Sequence, residues 1–400
     1  MTNNKFFYPA NVLLPKSDFE NWSVIACDQY TSEPEYWNRA ETIVGDNKSA
    51  LNIILPEVKL SDNNDKDILD INNTMAEYIN SDTFNEFENS FVYVERTQSD
   101  GLIRRGILGC IDLEDYEYTK CNKALIRATE ATVIERIPPR VKIRENAPLE
   151  LPHVMLLVDD KDNSLFEPLS NETENFESLY DFELMQNAGH IKGWRVSDSK
   201  AEEMQIALEK LNLKADGLLF CVGDGNHSLA TAKECYIKNP NPLNRYALVE
   251  VVNIHDNALQ FEPIYRIVFG ANPDNLINSF LDCCGGVYEG EDAQKYTCVY
   301  NGLERELSVK PIQKLAVGTL QKFLDDYILE NPDVKIDYIH GEDSLKKLSE
   351  NKNAVGFLFE GMQKSELFDA VKADGSLPRK TFSMGHADDK RFYLEARKIK

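Results

Sequence analysis

After an irregular stretch of about 60 residues, short apolar runs alternate with longer amphipathic segments along the chain. Residues 91–97 predict a strand, Gly101 marks a turn, and residues 102–113 have the apolar side chains of a hairpin partner. Towards the C-terminus, strand patterns such as residues 355–359 alternate with helix patterns such as residues 311–329. This mixture predicts an α+β (mixed α/β) fold, built from several small mixed sheets with flanking helices.

The sharpest change of pattern lies at residues 218–235, a segment that we call the elbow. An apolar run at 218–222 has the length of a buried strand, and residues 229–235 have the pattern of a helix. Between them stands the polar sequence Gly-Asp-Gly-Asn-His-Ser. Because Gly223 and Gly225 let the backbone fold tightly and approach a ligand closely, we expect a strand, a tight turn and a helix.

The side chains of the elbow favour a negatively charged ligand. Ser228 is expected at or near the start of the helix, where backbone N–H groups and the helix dipole attract phosphate or carboxylate. Asp224 could hold Mg²⁺, and His227 could donate to a phosphoryl group or exchange protons with it. The alternative is structural: Asp224 and Asn226 make a turn, and Ser228 caps a helix.

Residues 120–144 form a basic segment in an acidic chain. The chain has a net charge of −23, yet this segment has an excess of five positive charges. Its charged residues are Lys120, Lys123, Arg127, Arg136, Arg140, Lys142 and Arg144, with Glu130 and Glu135. Arg136, Arg140 and Arg144 recur every fourth residue, although a Pro-Pro pair interrupts a long helix there.

Two interpretations of the basic segment stay open. Guanidinium groups bind phosphate through paired hydrogen bonds, and Glu130, three residues after Arg127, could be a general base beside them. The alternative is a salt-bridge network on an acidic protein, in which Glu130 only pairs with an arginine.

Composition narrows the classes of function. Hydrophobic residues make up 42% of the chain, which excludes wholesale disorder. The charge of −23 argues against a general nucleic-acid binder, because an acidic surface repels phosphate backbones. The sequence has no Walker loop, no Gly-x-Gly-x-x-Gly helix start and no Gly-x-Ser-x-Gly motif. A Walker ATPase, a standard dinucleotide enzyme and a hydrolase of the last type are therefore not expected.

Length and cysteine usage set the expected organisation. The apolar runs are far shorter than the ~20 residues of a bilayer-spanning helix, and no signal peptide is recognised at the N-terminus. Eight cysteines without paired spacing predict reduced thiols in a cytoplasm.

The 400 residues suggest two or three domains. We place them at 1–120 (an N-terminal α+β region), 121–266 (a core with the basic segment and the elbow) and 267–400 (a C-terminal α+β region).

Asp28 and His190 are weaker candidates for a site. Asp28 follows a short strand pattern, so it could line a pocket or only form part of a turn. His190 lies in a glycine-rich loop that could cover a ligand or be an ordinary surface turn.

Residues 224–228, Asp-Gly-Asn-His-Ser, resemble the Asp-Gly-His-His-Arg motif of a bacterial family known as domain of unknown function 1015. Asn226 stands where the family has its first histidine, and Ser228 where it has arginine. Further similar segments follow in the family's order at residues 27–30, 127–130, 253–266 and 377–380. In the third of them, Tyr265 replaces a histidine before Arg266. The resemblance spans most of the chain.

The same turn resembles that of the ParB/sulfiredoxin-like superfamily, which includes free-serine kinases. Those kinases bind nucleotide phosphates with this turn and the following helix, and they use a glutamate as general base. The resemblance implies a ParB/sulfiredoxin-like core, with Glu130 as the base. It also implies that phosphates or metal are held by Asp224, Asn226, His227 and Ser228.

Pattern and resemblance together define the expected site. The catalytic candidates are Glu130, Asp224 and His227, with Asp224 as the metal ligand. The candidates for binding nucleotide or phosphate are Arg127, Arg136, Arg140, Arg144, Gly223, Gly225, Asn226 and Ser228. Residues expected nearer the substrate are Asp28, His190 and Arg266.

We expect a phosphotransferase that uses Mg²⁺ and ATP or ADP and acts on a small hydroxyl metabolite such as free L-serine. The alternative is a non-catalytic regulatory protein that binds a nucleotide or another anion, which the missing arginine at position 228 favours. A nucleic-acid partner, by analogy with ParB, is disfavoured by the net charge. The expected partners are a nucleotide and a small-molecule substrate, without nucleic acid or membrane, and a homodimer stays open.

Overall fold

The structure is a computed structural model that describes residues 5–61, 63–119, 122–130 and 132–400. Lys120 of the basic segment lies outside these residues. The strands are β1 Ala10–Pro15, β2 Val24–Ile25, β3 Phe84–Thr97, β4 Ile103–Asp112, β5 Tyr116–Glu117, β6 Ile126–Ala128, β7 Leu149–Glu150, β8 Met155–Val158, β9 Glu177–Glu183, β10 His190–Val196, β11 Phe220–Asp224, β12 Tyr246–Asn253, β13 Phe261–Phe269, β14 Gln294–Tyr300, β15 Leu303–Val309, β16 Lys335–His340, β17 Ala354–Phe359, β18 Phe382–Met384, β19 Phe392–Tyr393 and β20 Arg397–Lys398. The α-helices are α1 Phe19–Trp22, α2 Pro34–Val44, α3 Asp65–Asn80, α4 Ile137–Arg144, α5 Glu167–Ser170, α6 Asp198–Lys214, α7 Asn226–Lys238, α8 Pro273–Cys283, α9 Ala316–Glu330, α10 Glu342–Leu348 and α11 Leu367–Asp374.

The chain divides into two compact units. The first takes the described residues of Met1–Ala128, Thr132–Leu259 and His386–Lys400, and the second takes those of Thr129–Ala131 and Gln260–Gly385. These boundaries follow contacts within the fold, whereas the three regions proposed from the sequence follow composition along the chain.

The first unit is built on one large mixed sheet. Its strand order is β5-β6-β11-β8-β12-β4-β3-β10-β9, and β1 also pairs with β3. The predicted hairpin is confirmed, since β3 and β4 pair antiparallel with Val92 opposite Leu108. β3 begins at Phe84, before the predicted strand, because its first half pairs with β1.

Alternate side chains of the sheet fill two cores, one on each face. On β12, Val249 and Val251 belong to the core that also contains Leu156 of β8 and Val222 of β11. The neighbouring Leu248 belongs to the other core, with Leu108 of β4. Burial on both faces explains why the central strands are continuous apolar runs in the sequence.

The C-terminal segment, His386–Lys400, is part of the first unit. Its strand β19 pairs with β2, and its strand β20 pairs with β7. Arg391 is fully buried and forms ion pairs with Glu250 and Glu395, which are buried as well. Because losing one partner of such a buried pair costs about 3–5 kcal/mol, these contacts anchor the segment firmly.

The second unit contains a smaller antiparallel sheet. Its order is β15-β14-β17-β13-β16, and β18 pairs with β13. Phe280 of α8 packs its ring against Tyr296 of β14, Phe323 of α9 and Phe357 of β17. This aromatic cluster joins two helices to one face of the sheet.

The α+β class with several mixed sheets and flanking helices, predicted from the sequence, is confirmed. Within the described residues, no helix combines the length and the apolar character that crossing a bilayer requires.

Candidate functional site

The elbow folds as strand β11, one turn residue and helix α7. β11 ends at Asp224 and α7 begins at Asn226, so Gly225 makes the turn alone. Its φ of +82° lies in the left-handed region that favours glycine. A Cβ atom on Gly225 would lie 3.0 Å from the Cα of Val154, so any larger residue would be both strained and crowded.

The strand and the helix both extend further into the polar Gly-Asp-Gly-Asn-His-Ser sequence than the pattern predicted. The strand expected at 218–222 runs from Phe220 to Asp224, because Asp224 still pairs with Met155 of β8. Ser228, expected at or near the start of the helix, lies in the first turn of α7 as its third residue. The N-terminal end of α7, where N–H groups lack intrahelical acceptors, is therefore separated from Asp224 by one residue.

Asp224 is held by its neighbours on both carboxylate oxygens. Its Oδ1 accepts a hydrogen bond from the Gly225 N–H at 2.9 Å. Its Oδ2 lies 3.3 Å from the Nζ of Lys390 in the C-terminal segment. The side chains of Asp224 and Lys390 are 22% and 13% exposed, so the ion pair is mostly shielded but can be reached from solvent.

His227, the second residue of α7, is neutral at physiological pH. Its Nε2 accepts a hydrogen bond from the Val133 N–H at 3.2 Å, which leaves the ring proton on Nδ1. Burial, together with the positive charges of Arg140 and Arg136, lowers the pKa of His227 to about 4. His227 can therefore act as a neutral donor through Nδ1 but not as a cation.

Part of the basic segment packs beside the elbow. Helix α4 lies against α7, and its two prolines occupy the first turn, where they start a helix instead of breaking one. Arg136 precedes this helix, and Arg140 lies one turn further on and forms an ion pair with Glu57. Since both arginines lower the pKa of His227, their charges act on the elbow.

The other two arginines of the segment are used elsewhere. The guanidinium of Arg127 donates to the carbonyl oxygens of Ala124 at 2.9 Å and Gly217 at 3.1 Å. Arg144 pairs with the buried Glu150, which also pairs with Arg397. Both side chains thus hold the framework of the first unit together.

The two weaker candidates lie in different places. Asp28 lies close enough to His227 for its negative charge to raise the pKa of that imidazole against the larger lowering effects. His190 lies on β10, where its ring nitrogens face Asp181 at 2.6 Å and Glu183 at 2.9 Å. Five strand spacings separate β10 from β11, which is about 24 Å across the sheet. The structure therefore brings Asp28, but not His190, to the elbow.

Glu130 and Arg266 belong to the second unit. The Oε1 of Glu130 accepts a hydrogen bond from the Thr381 N–H at 3.4 Å. Arg266 is fully buried and donates to the carbonyl oxygens of Arg379 at 3.2 Å and Lys380 at 3.1 Å. Burial lowers the pKa of Arg266 to about 10, while the charge of Glu130 opposes this shift. The structure thus gathers three of the segments that carry the family resemblance, represented by Glu130, Arg266 and Arg379–Lys380.

Sequence reasoning missed three residues at the elbow: Lys390, His153 and Tyr393. Lys390 pairs with Asp224, and the phenol oxygen of Tyr393 lies 2.6 Å from Nδ1 of His153. Lys390 and Tyr393 come from the C-terminal segment, for which no local pattern predicts a return to the elbow. His153 immediately precedes Val154 at the start of the apolar run, and this position was the only available signal.

Fold and site define an α+β protein with a glycine-turned elbow whose helix N-terminus lies among cationic side chains. The chain matches the family described as "Protein of unknown function (DUF1015)" over residues 7–398, and it belongs to this family. The family expected from the motifs is thereby confirmed. No curated protein matches the chain.

Several solved structures are similar to parts of the chain at low identity. A conserved hypothetical protein from Pyrococcus furiosus has a TM-score of 0.37 and 11% identity, covering 73% of this chain and 94% of its own. A free serine kinase variant in complex with ADP has a TM-score of 0.39 and 10% identity, covering 72% and 91%. SbnI from Staphylococcus aureus, with a C-terminal truncation, has a TM-score of 0.37 and 11% identity, covering 72% and 82%.

Proposed function

We propose that the chain is a nucleotide-dependent phosphotransferase acting on the hydroxyl group of a small metabolite, with free L-serine as the first candidate. The observation that carries the proposal is the elbow, a helix N-terminus with Lys390 at Asp224 and the charges of Arg136 and Arg140 beside it. In a chain with a net charge of −23, this local concentration of cations favours the binding of an anion. Phosphate groups fit, because a helix N-terminus and guanidinium groups both bind them.

The residues of the elbow match what phosphoryl transfer asks of a protein, which is mainly positioning and neutralisation of charge. Arg136 and Arg140 would neutralise phosphate oxygens, and the hydroxyl of Ser228 and the Nδ1–H of His227 would donate to them. His227 contributes as a neutral donor because its pKa of about 4 keeps it uncharged. The ParB/sulfiredoxin-like core implied by the sequence is part of this proposal.

Asp224 is the residue that would hold Mg²⁺. Magnesium commonly uses one or two carboxylates and completes its shell with water and nucleotide phosphates, so a single partly exposed carboxylate at the elbow fits. Among the described residues, no group of three or more His, Cys, Asp and Glu side chains forms a metal cluster. The phosphates of the nucleotide would therefore supply the remaining ligands, and Lys390 and the metal would be alternative counter-charges for Asp224.

Glu130 is the proposed general base, on the strength of the sequence resemblance to the free-serine kinases. As a base it would accept the proton of the substrate hydroxyl when that oxygen attacks phosphorus. Arg379 and Lys380, which are exposed and lie next to Thr381 in the sequence, are cations near this carboxylate within the second unit. They would suit a metabolite that carries a carboxylate, as an amino acid does.

A thermal-shift screen of the full chain with ATP, ADP and inorganic pyrophosphate, each with and without Mg²⁺, tests the proposal. The expected result is a rise in melting temperature with a nucleotide, followed by turnover of that nucleotide that depends on serine or another small hydroxyl compound. The absence of any shift with all three anions would overturn it.

Binding without turnover favours the second candidate, a regulatory protein that binds a nucleotide. One observation favours this outcome: the position of the family's arginine is occupied by Ser228, which carries no charge. A screen of small hydroxyl metabolites at saturating nucleotide separates the two functions.

A further inference from the structure

A second imidazole lies at the elbow, on the side of β8. His153 comes just before Val154, whose Cα packs against Gly225. The Cδ2 atom of the His153 ring would lie 3.4 Å from a Cβ atom placed on Gly225. The ring edge that contains Cδ2 therefore faces the turn, and Nε2 is bonded to this atom, whereas Nδ1 lies on the opposite edge. The side chain is half-buried, so a ligand at the elbow can reach it.

Tyr393 holds the opposite nitrogen of this ring. Its phenol oxygen lies 2.6 Å from Nδ1 of His153 and 3.1 Å from Sγ of Cys27, and it accepts the Cys27 N–H at 3.3 Å. Burial, followed by electrostatic interactions with Cys27 and Asp28, raises the pKa of Tyr393 well above its ordinary value, so the phenol keeps its proton. A neutral imidazole nitrogen accepts more strongly than a thiol. Tyr393 therefore donates to Nδ1, and His153 carries its own proton on Nε2.

Cys27 is a second neighbour of the phenol. Its sulfur lies 3.1 Å from the phenol oxygen, and it remains a thiol because burial raises its pKa to about 12. As the weaker acceptor of the two, it leaves the phenol proton to Nδ1 of His153.

We propose that His153 contacts the phosphate groups of the ligand at the elbow through Nε2, and that Tyr393 positions the imidazole for this contact. The inference rests on the proposed function, since it adds a binding residue to the same site. Nε2 of His227 already accepts a hydrogen bond from the Val133 N–H, so it cannot donate to a phosphate group. The proposal assigns a phosphate contact through Nε2 to His153 instead. Tyr393 is suited to a positioning role because it is buried and because β19 pairs it with Val24.

The test measures binding of Mg²⁺–ADP and of inorganic pyrophosphate to the full chain by isothermal titration calorimetry. His153→Gln is expected to lower the affinity about tenfold, as for the loss of one hydrogen bond to a charged group. Tyr393→Phe keeps the imidazole but removes the hydrogen bond that orients it. This variant is expected to lower the affinity about threefold to fivefold. Nitrogen-15 NMR of the His153 ring is expected to show the Nε2–H tautomer in the wild type and a mixture of tautomers in Tyr393→Phe.

Matched controls remove the same groups elsewhere in the first unit. His255→Gln loses an imidazole that pairs with Asp159, and Tyr236→Phe loses a phenol that donates to Glu114. Both are expected to keep the wild-type affinity. Melting curves without ligand establish that each variant is folded. If His153→Gln does not fold, Tyr393→Phe tests the proposal instead, because it removes only one oxygen atom.

The possible outcomes separate the two proposals. If the wild type binds a probe and His153→Gln binds it equally well, this inference is wrong while the proposed function stands. If the wild type binds neither probe, the proposed function fails and the inference fails with it. Lower affinity in Tyr393→Phe with an unchanged tautomer would show that Tyr393 does not position His153.

Discussion

The ammonium nitrogen of Lys390 lies 3.3 Å from Oδ2 of Asp224, although most of the second unit's sequence comes between the two residues. Lys390 is held in place because its neighbour Arg391 is buried in ion pairs with Glu250 and Glu395. Both partners of the Lys390–Asp224 pair are mostly shielded, so salt screens their interaction less than it would screen an exposed pair. The C-terminal segment is therefore a structural part of the elbow.

Replacing Lys390 by Gln is expected to weaken binding of Mg²⁺-free ADP about tenfold, because one cation beside the phosphates is lost. The measurement is a calorimetric titration at low ionic strength. The control is Lys398→Gln, a change in the same C-terminal segment that breaks an exposed ion pair with Glu86 of β3. This variant should bind ADP like the wild type. Equal affinity in Lys390→Gln and the wild type would remove Lys390 from the binding site.

Replacing Asp224 by Ala is expected to abolish the part of the nucleotide stabilisation that depends on Mg²⁺, because the carboxylate that would hold the metal is gone. Melting temperatures with ADP, measured with Mg²⁺ and with EDTA, check this. The EDTA sample of the same variant is the internal control for folding and for metal-independent binding. Stabilisation by Mg²⁺ that survives in Asp224→Ala would refute the assigned role.

Replacing Gly225 by Ala is expected to destabilise the protein by about 3 kcal/mol, combining a left-handed backbone with crowding against Val154. Gly217→Ala is a matched control, because its φ of +77° is also left-handed but a Cβ there meets no atom within 4 Å. It should cost only about 1–2 kcal/mol. Urea unfolding of both variants gives the comparison, and equal losses would show that the contact with Val154 does not matter.

His227 predicts a dependence of stability on pH. Its pKa is lowered from 6.5 to about 4 in the folded protein, so the unfolded chain binds more protons between these values. Its contribution is fully present above pH 6.5 and is lost as the pH falls towards 4. Because the ring is partly exposed, we expect no more than about 2 kcal/mol over this window.

Urea unfolding of the wild type and of His227→Gln at several pH values between 4 and 7 isolates this contribution. The glutamine has no titrating group, so the variant should lose less stability than the wild type as the solution is acidified. Parallel curves for the two proteins would contradict the neutral state assigned to His227.

Replacing Glu130 by Gln is expected to keep nucleotide binding and to lower turnover at least a hundredfold, the smaller end of what a general base contributes. Calorimetry and a coupled assay for nucleotide consumption measure the two properties. Glu135→Gln, a change of the same kind in the basic segment, serves as the control. Full activity of Glu130→Gln would exclude Glu130 as the base.

Several features of the elbow follow from local rules and were predictable. The apolar run before Asp224 and the pattern after Ser228 predict a strand and a helix, and Gly223 and Gly225 predict a tight turn between them. The hairpin of β3 and β4 was predictable for the same reason, since strand periodicity and turn residues act over a few neighbours. The exact ends of β11 and α7 were not predictable, and the C-terminal end of β11 depends on the pairing of Asp224 with Met155 of β8.

The sequence by itself determined the fold class, the glycine-turned elbow and the family, since these depend on short-range periodicity, backbone conformation and motif. Only the tertiary structure decided which charges reach the elbow: Arg136 and Arg140 act there, Arg127 and Arg144 do not, and Lys390 arrives from the C-terminal segment. It also decided that His227 is neutral. The physical reason is that electrostatic neighbours and burial depend on packing between segments far apart in the chain, which no local pattern records.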